Sequence, residues 1–544
     1  MKRLAVNASR LALVALAWGA AHPDTASAQL GPLIAVSPGP SPFNGCTADD
    51  VVLQQAVCSA VGAPCVVYPN TEIEPWVDAN PTNSRNLIAG WQQDRWSNGG
   101  SRGNVSAYSK DGGRTWAKVL LPGVSLCSSG LFTRNSDPWV SFSPSGVAFF
   151  MTLAFQPDRL DGGLGANAML VNRSTDGGVT WGPPTTLIFD SNGQILNDKN
   201  SLTADPTNPA YAFAVWDRIQ DFTVPELATA KAGAVAAANL DGVELARERV
   251  RRLKAEAQAK GTADTAPEAL APEATVFFKG PTYLARTTDG GASWETAKKI
   301  YDPGPNAQTI NNLVEVPPSG TVFNFFTHIF SNGLVRLDYL RSFDKGSTFA
   351  KPPKFVDVIL SAGTFTPDDQ VLVRDASILF DTAVNRSTGA LYAVWQDVRF
   401  RGVEEIAFSQ STDGGLTWSK TIRINRTPFN SNPLRKQAFI PSIAVGPGGV
   451  LVVTYYDFRN DDGSGELTDY WAVSCSTNCT SRSSWGNELR LTPRSFDMLD
   501  APIARGHFLG DYMGLVTAGR IVHPVFGIAT GPDLTTEFTR RIRY

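Results

Sequence analysis

The sequence predicts an all-β propeller, which is a circle of small four-stranded sheets called blades, and three observations lead to that fold. A short string, Ser/Thr-x-Asp-x-Gly-x-Thr/Ser followed by Trp or Phe, recurs along the chain. Successive copies lie 65, 113, 55 and 69 residues apart, a period typical of radial arrays of sheets. Between the copies, short apolar runs alternate with turns rich in Gly, Pro and Asn. The copies are centred on Asp111, Asp176, Asp289, Asp344 and Asp413.

Each copy predicts a tight turn between two strands. An Asp carboxylate accepts hydrogen bonds from nearby backbone N–H groups, and the Gly that follows takes the positive φ that such a turn needs. The aromatic residue then fixes the turn to the core. We therefore expect four strands per blade: an inner strand, a second strand, a third strand that enters the Asp turn, and an outer strand after the aromatic residue.

The count of these segments predicts seven blades, with six as the alternative. A degenerate copy at Asn478 and Trp485 marks one further blade, and the last segment, 510–544, has strands but no copy. The N-terminal run 31–36 is expected to supply its missing strand and so remove an exposed sheet edge. The predicted organisation is a signal peptide (1–28), an N-terminal segment with the closing strand (29–71) and the propeller (72–544).

The interval of 113 residues indicates an insertion in the third blade, at 219–275. Apolar residues there recur at spacings of three and four, which predicts an amphipathic helix. We expect a helical hairpin packed on the propeller, with a lid over the site or a dimer contact as alternatives. The residues of the apolar stripe are Val243, Ala246, Val250, Leu253 and Ala257.

The N-terminus predicts export. Basic residues precede the apolar run 11–20, and Ala26-Ser27-Ala28 forms a small-x-small cleavage site, so the chain is expected to be secreted, either extracellular or periplasmic. No other apolar run is long enough to span a membrane. Six cysteines suit an oxidising compartment, and we expect structural disulfides rather than a metal centre. The expected pairs are Cys475 with Cys479, Cys58 with Cys65, and Cys46 with Cys127.

Composition excludes some partners and selects none. The chain has 544 residues, a net charge of −3 and no basic block, which argues against nucleic acid as a partner. The sequence predicts no cofactor and no metal. It gives no indication of the oligomeric state.

The repeated strings resemble the Asp boxes, also called bacterial neuraminidase repeats, of the sialidase superfamily, and the similarity covers nearly all of the predicted mature chain. The resemblance implies that the boxes are structural turns on the blade periphery, away from the catalytic face. Sialidases bind a substrate carboxylate with three arginines and use an Asp as acid/base and a Tyr, activated by a Glu, as nucleophile. Their aromatic-Arg-Ile/Leu-Pro motif is replaced here by Ile73-Glu74-Pro75-Trp76.

One end of the central channel is the expected site. In a propeller, the loop after each second strand and the loop entering each inner strand meet there. Candidate catalytic residues are Tyr512, Asp511, His507, Glu405 and Asp94. Candidate substrate-binding residues are Arg95, Arg218, Arg374, Arg399, Arg459 and Lys199. Other charged residues expected at this opening are Glu72, Glu74, Asp137, Asp198, Asp217, Asp375, Asp397, Glu404 and Asp457.

The Asp-x-Arg pattern recurs from blade to blade, so ion pairs between neighbouring blades are the alternative to catalysis for these residues. Three functions fit the candidates. The first is a secreted glycoside hydrolase acting on an anionic or complex glycan, which needs two carboxyl groups or a Tyr and a carboxyl group. The second is a polysaccharide lyase that uses Tyr512 with His507. The third is a non-catalytic module that binds glycan or protein.

Overall fold

The computed structural model describes residues 28–47, 65–157, 164–221 and 278–544. Within these ranges the chain forms strands, turns and short 3-10 helices, and none of the residues belongs to an α-helix. No helix there has the length and hydropathy to cross a membrane. All but the last residue of the predicted signal peptide, and the predicted insertion beyond residue 221, lie outside the described residues.

The strands follow one another in antiparallel sets, which we call units 1 to 7. The chain begins with β1 (Gln29–Ala35). Unit 1 contains β2 (Val67–Ala79), β3 (Leu87–Trp96), β4 (Ser101–Ser109) and β5 (Ala117–Leu120); unit 2 contains β6 (Arg134–Phe142), β7 (Ala148–Phe155), β8 (Asn167–Ser174) and β9 (Thr185–Asp190); unit 3 contains β10 (Ile195–Ala204), β11 (Ala212–Asp221), β12 (Phe278–Gly280), β13 (Thr282–Thr287) and β14 (Lys298–Tyr301).

The later units have the same pattern. Unit 4 contains β15 (Ala307–Glu315), β16 (Val322–Ile329), β17 (Val335–Ser342) and β18 (Ala350–Val358), and a hairpin of β19 (Thr364–Phe365) and β20 (Leu372–Val373) follows; unit 5 contains β21 (Phe380–Val384), β22 (Leu391–Asp397), β23 (Glu405–Ser411) and β24 (Ile422–Arg423); unit 6 contains β25 (Ala438–Val445), β26 (Leu451–Asp457), β27 (Leu467–Cys475), β28 (Gly486–Arg490) and the short β29 (Phe496–Asp497); unit 7 contains β30 (Gly514–Ala518), β31 (Ile521–Gly531) and β32 (Leu534–Arg543).

Five short 3-10 helices interrupt the described loops. They span Leu126–Ser128, Pro433–Lys436, Pro447–Gly449, Arg482–Ser484 and Met498–Asp500.

The units are arranged around one centre. The first strand of each unit contacts the first strand of the next: β2 contacts β6, β6 contacts β10, and the series continues through β15, β21 and β25 to β30. β30 in turn contacts β2, so the series closes on itself. The inner strands of all the units therefore surround a common axis.

The first and last parts of the chain share a sheet. The run 31–36, expected to complete the last unit, contributes to β1, and β1 pairs antiparallel with β32 from Ala35 opposite Phe538 to Gln29 opposite Arg543. The sheet order is β1-β32-β31-β30. The outer edge of unit 7 is thereby covered by a strand from the other end of the chain.

The repeated aspartates hold turns, as the hydrogen bonds around Asp111 show. Its Oδ1 accepts from the backbone N–H groups of Arg114 and Thr115 at 2.9 Å each, and its Oδ2 accepts from Thr115 Oγ1 at 2.7 Å. Ser109 Oγ accepts from Gly113 N–H at 2.9 Å. Equivalent bonds surround Asp289, where the Ser293 hydroxyl and backbone N–H lower the pKa of the carboxyl to about 2.

These turns also link neighbouring units. An arginine on the third strand of one unit donates to a backbone oxygen in the turn of the next: Arg173 Nε donates to the carbonyl of Gly290 at 2.9 Å, and Arg286 Nη1 donates to the carbonyl of Lys345 at 2.5 Å. A β-carbon on Gly291 would lie 2.3 Å from the Phe149 ring, so only glycine fits against the second strand of the preceding unit.

The core lies between the units and is rich in tryptophan. Trp91, Trp216 and Trp395 on the second strands are fully buried. Their Nε1–H groups donate to Gln93, Asn197 and Asp397 at 3.0, 2.9 and 3.0 Å. The predicted disulfides Cys46–Cys127 and Cys475–Cys479 are confirmed. Cys58 of the third predicted pair lies outside the described residues.

Candidate functional site

The inner strands of units 1 to 3 carry a β-bulge at the same level. The pairing register of β2, β6 and β10 breaks there, and the residue at the break has a positive φ: 54° for Glu74, 48° for Asp137 and 46° for Lys199. A bulge changes the direction of a side chain, and positive φ is uncommon for residues of this size. Three charged side chains are thereby brought from three different units to one place.

A residue with positive φ also occurs in or just before the inner strands of units 4 to 6, and there it carries no charge. The residues with positive φ are Asn311 at 58°, Ala376 at 44° and Ile440 at 50°. The positive φ therefore recurs in six units, whereas the residue that has it is charged only in units 1 to 3. Binding and catalysis require such asymmetry, which a regular repeat cannot supply.

Lys199 lies at the centre of a cluster of three carboxyl groups. Its Nζ contacts the Asp511 carboxylate directly and lies 3.7 Å from Asp137 Oδ1 and 3.9 Å from Glu74 Oε1. Glu74, Asp137 and Asp511 are 1%, 2% and 5% exposed. One ammonium group thus holds three buried carboxyl groups within about 4 Å of itself.

Arg374 is the second cation at Asp511. Its Nε and Nη2 donate to the two carboxylate oxygens of Asp511 at 3.2 and 3.1 Å, a bidentate arrangement. The guanidinium lies 4.2 Å from the centre of the Phe508 ring. With 27% of its side chain exposed, Arg374 is the most accessible charged group of the cluster.

Arg95 extends the cluster on the side of unit 1. Its Nη1 donates to Gln92 Oε1 at 2.5 Å, and Gln92 Nε2 donates to the Glu74 carboxyl group. Arg95 lies 5.1 Å from the centre of the Phe508 ring, on which Arg374 also packs. Burial and the nearby charge of Arg374 lower the pKa of Arg95 to about 10.

Burial and charge give the carboxyl groups opposite protonation states. Burial, which the like charges of Asp511 and Asp137 reinforce, raises the pKa of Glu74 to about 8, although Lys199 opposes the shift. Burial raises the pKa of Asp137 to about 6 in the same way. Burial alone would also raise the pKa of Asp511, but Arg374 and Lys199 hold it well below its ordinary value. At neutral pH Glu74 therefore holds a proton while Asp511 is ionised.

Asp217 is a further buried acid beside this cluster. It is fully buried at the end of β11 that faces the cluster, and neither carboxyl oxygen has a hydrogen-bond partner among the described residues. Burial and then the charges of Asp198 and Asp137 raise the pKa of Asp217 well above its ordinary value. Burial and these neighbouring charges thus favour the neutral form of its carboxyl group.

Aromatic side chains form a wall beside Asp511. The rings of Trp76 and Trp139 stack with their centres 3.6 Å apart, and Tyr512 lies edge-on to both at 5.8 and 5.5 Å. Together with Asp511 these residues line a cavity of about 20 Å³, which is room for about one water molecule. Ala376, Ile440, Asp375 and Asp381 also line this cavity.

The structure brings together six of the eleven predicted site residues. Lys199, Arg374 and Asp511 are in direct contact, and Tyr512 follows Asp511 in the cavity wall. Arg95 joins through Phe508. His507 is adjacent, because its carbonyl accepts from the Arg374 N–H at 2.9 Å, while its ring Nδ1 is 3.0 Å from the carbonyl oxygen of Ala501.

The other five predicted site residues have partners outside this cluster, so the structure does not join them to it. Asp94 accepts from Ser41 and from the Asn70 N–H, and Glu405 is held by Arg401 and Arg423. The three arginines form ion pairs within a unit or between neighbouring units: Arg218 with Asp190, Arg399 with Asp397 and Asp357, and Arg459 with Asp457 and Glu488. None of these contacts reaches Lys199 or Asp511, so the alternative of structural ion pairs applies to these arginines.

Glu74 and Asp137 were expected at the opening but not among the catalytic candidates, and Trp76 and Trp139 were not predicted as site residues. Glu74 and Asp137 each begin an acid-Pro-Trp triplet, 74–76 and 137–139, and the two tryptophans of these triplets stack on each other. This triplet, repeated on two inner strands, was the feature of the sequence that could have predicted Glu74 and Asp137 as site residues.

A separate acidic group does not provide a vacant metal site. The ligand atoms of Asp368, Asp461 and Glu466 lie within 4.8 Å of one another. Arg435 donates to Asp461 at 2.6 Å and to Asp368 at 3.1 Å, and Glu466 accepts from the Asp369 N–H at 2.6 Å. Protein groups thus already satisfy these carboxylates.

Comparison with known proteins yields no family. No protein-family model and no curated protein matches the chain. Among solved structures, the Hadza microbial sialidase Hz136 is 14% identical over 85% of this chain and 74% of that chain, with a TM-score of 0.44. An α-L-arabinanase from Penicillium chrysogenum is 11% identical over 94% and 98% of the two chains, with a TM-score of 0.39. A protein of unknown function from Dyadobacter fermentans is 14% identical over 87% and 95%, with a TM-score of 0.39. At these values the similarity carries no conclusion about family or activity.

Proposed function

We propose that this protein is a glycoside hydrolase whose site is the cluster of Glu74, Asp137, Lys199, Arg374 and Asp511. The observation that carries the proposal is the position of two buried carboxyl groups, Glu74 and Asp511, on one ammonium group, where their pKa values shift in opposite directions. Glycoside hydrolysis uses such a pair, in which one group donates a proton to the leaving oxygen and the other acts as base or nucleophile.

Glu74 is the proton donor in this proposal. Its pKa of about 8 keeps it protonated at neutral pH, and Gln92 and Lys199 fix its position. Asp511 is the base. It stays ionised between Arg374 and Lys199, and it lines a cavity large enough for the one water molecule that a base must activate.

Arg374 and the aromatic wall are proposed to hold the sugar at the mouth of this cavity. Arg374 can pair with a substrate carboxylate because its side chain is partly exposed, which favours an anionic glycan. Tyr512 is not a nucleophile in this proposal, because burial and then the charges of Glu74 and Asp137 raise its pKa well above the ordinary value. A neutral phenol donates a hydrogen bond instead.

We propose further that units 1 to 7 are the blades of a closed seven-bladed propeller, with the six-bladed alternative set aside. The closed series of contacts among inner strands supports this arrangement. We also propose that the protein is secreted. Two disulfides, which persist in oxidising compartments, support export.

A non-catalytic glycan-binding module is the second candidate. One observation favours it: the carboxyl groups are at most 5% exposed and the cavity holds about one water molecule, so a sugar reaches only the mouth. The lyase is not proposed, since no contact joins Tyr512 to His507 among the described residues and the pKa of Tyr512 is raised.

The test is a screen of the purified protein against sialosides, uronate-containing polysaccharides and neutral glycans. We expect reducing ends to be released without ultraviolet absorbance from an unsaturated uronate. Glu74→Gln and Asp511→Asn should each lower kcat by about 10²- to 10⁴-fold, because each removes one proton-transfer group. Asp369→Asn, which replaces an exposed carboxylate without side-chain contacts, should leave kcat unchanged.

Circular dichroism of each variant separates loss of activity from loss of fold. Binding of a glycan without release of any sugar would replace the hydrolase with the binding module. An increase in ultraviolet absorbance would replace it with the lyase. Full activity of folded Glu74→Gln and Asp511→Asn would remove the proposed catalytic pair.

A further inference from the structure

A second cleft lies between unit 1 and unit 7 at the end of the molecule opposite the central cluster. It has a volume of about 800 Å³. Its walls come from the turn after β2, the Asp111 turn after β4, the turn between β30 and β31, and the end of β32. Because neighbouring strands are antiparallel, these turns lie where inner strands end, whereas the Lys199 cluster lies where inner strands begin.

The residues that line the cleft include four arginines and no Asp or Glu. Arg85, Arg114, Arg520 and Arg543 are all exposed and line it. None of the four forms an ion pair with a carboxylate of a described residue, in contrast to Arg218, Arg399 and Arg459. Four guanidinium groups around one concave surface create a strongly positive potential.

His523 forms part of the floor and occupies a position that is apolar elsewhere. The second glycine of each repeated turn packs against the second strand of the preceding unit: Gly178 against Ile88, Gly291 against Phe149, Gly346 against Phe213 and Gly415 against Phe323. The turn of unit 1 packs in the same way on unit 7, where Gly113 meets His523. Packing alone would favour an aliphatic or phenyl side chain at this position.

The imidazole of His523 has no partner. The residue is fully buried, and neither Nδ1 nor Nε2 makes a hydrogen bond to any described residue. An unpaired buried polar group is costly, so the imidazole of His523 beside this cleft indicates a group that a ligand satisfies.

We propose that this cleft binds a multiply charged oxyanion, of the chemistry of sulfate or phosphate ester groups on a glycan, with the four arginines around it and His523 donating from its floor. The volume is within the range of small-molecule sites. Arginine suits this chemistry because its planar donors match two oxygens of one oxyanion. The inference does not depend on the central cluster.

The protonation state of His523 agrees with this role. Burial and then the charge of Arg541 lower its pKa to about 3, so the ring is neutral and carries one N–H donor at neutral pH. An oxyanion in the cleft would favour the charged ring and raise this pKa.

The test is isothermal titration calorimetry of the full chain with inorganic sulfate, inorganic pyrophosphate, a sulfated hexasaccharide and its desulfated counterpart. We expect binding of the charged probes and none of the desulfated sugar. The double variant Arg85→Gln/Arg543→Gln should weaken binding at least tenfold, since it removes two charge-assisted contacts. Arg494→Gln, at an exposed arginine outside the cleft, should not change it.

His523→Phe tests the floor without disturbing the packing, because phenylalanine stands at equivalent positions in units 2, 3 and 4. It should keep the stability of the protein and weaken binding of the charged probes about tenfold. Tighter binding of the sulfated sugar than of pyrophosphate would identify a glycan as the source of the oxyanion. Tighter binding of pyrophosphate would identify a free anion as the ligand. Equal affinity of the wild type and the double variant, or equal binding of the desulfated sugar, would overturn the proposal.

Discussion

Lys199 determines the electrostatics of the centre because three carboxyl groups share its single charge. The nearest of them, Asp511, also has Arg374, whereas the Asp137 Oδ2 atom has no hydrogen-bond partner among the described residues. A buried charge that loses its partner costs several kcal/mol. Lys199 therefore stabilises the fold and also sets which carboxyl group is ionised.

We predict that Lys199→Met lowers the free energy of unfolding by about 3 to 5 kcal/mol at pH 7, because Asp511 loses its closest cation. Adding Asp511→Asn should recover part of that loss, since the second change removes the charge that the first leaves uncompensated. Chemical denaturation of the wild type, both single variants and the double variant measures this coupling. Losses that simply add would show that Lys199 and Asp511 are energetically independent.

The same element, the bulged inner strand, serves two purposes in the molecule. In units 4 and 6 the bulge carries the uncharged Asn311 or Ile440, whereas in units 1 to 3 it carries the charges of the candidate site. The turn elements show the opposite pattern. The turns have the same structure in every unit with an intact repeat. Their Asp carboxylates accept hydrogen bonds from backbone N–H groups of the same turn.

We predict that Asp111→Ala lowers the free energy of unfolding by about 2 kcal/mol, because hydrogen bonds to a charged acceptor are lost. Any glycan-hydrolysing activity should be unchanged, as the turn lies at the other end of the unit from the site. Asp369→Ala, which removes an exposed carboxylate without such bonds, should change stability by less than about 0.5 kcal/mol. A loss of activity without a loss of stability in Asp111→Ala would contradict a structural role.

Sequence alone predicted the elements better than the site. The turns and the order of the strands follow from local chemistry, as at Asp111. The exposed edge of the last sheet predicted an additional strand, which β1 provides. Long-range partners do not follow in this way: Glu405 stands out in the sequence, yet Arg401 and Arg423 neutralise it within unit 5. The Asp94 carboxylate accepts hydrogen bonds from Ser41 and from the Asn70 N–H of the N-terminal segment. Glu74 and Asp137 became site residues only through bulges, which depend on pairing between strands.

The whole molecule is closed by contacts between its two ends. β1 completes the sheet of unit 7, and the Cys46–Cys127 disulfide joins the segment after β1 to unit 1 across a sequence separation of 81 residues. In the chain-entropy model a crosslink of that span stabilises the fold by about 4 kcal/mol. The carboxyl groups of Glu74 and Asp137 are buried within this closed series of units, and their burial favours the protonated form.

The claim that the fold holds Glu74 as a neutral acid is tested most directly by the pH dependence of unfolding. A carboxyl group whose pKa rises from 4.5 to about 8 on folding contributes stability that is full below pH 4.5 and is lost as pH rises to 8. The stability difference between the wild type and Glu74→Gln should therefore fall by about 1.4 kcal/mol per pH unit across that window. Glu295→Gln is the control, because Arg286 lowers the pKa of Glu295 and its difference should stay flat there. A flat difference for Glu74→Gln as well would show that Glu74 is ionised in the folded protein, and the proposed proton donor would be lost.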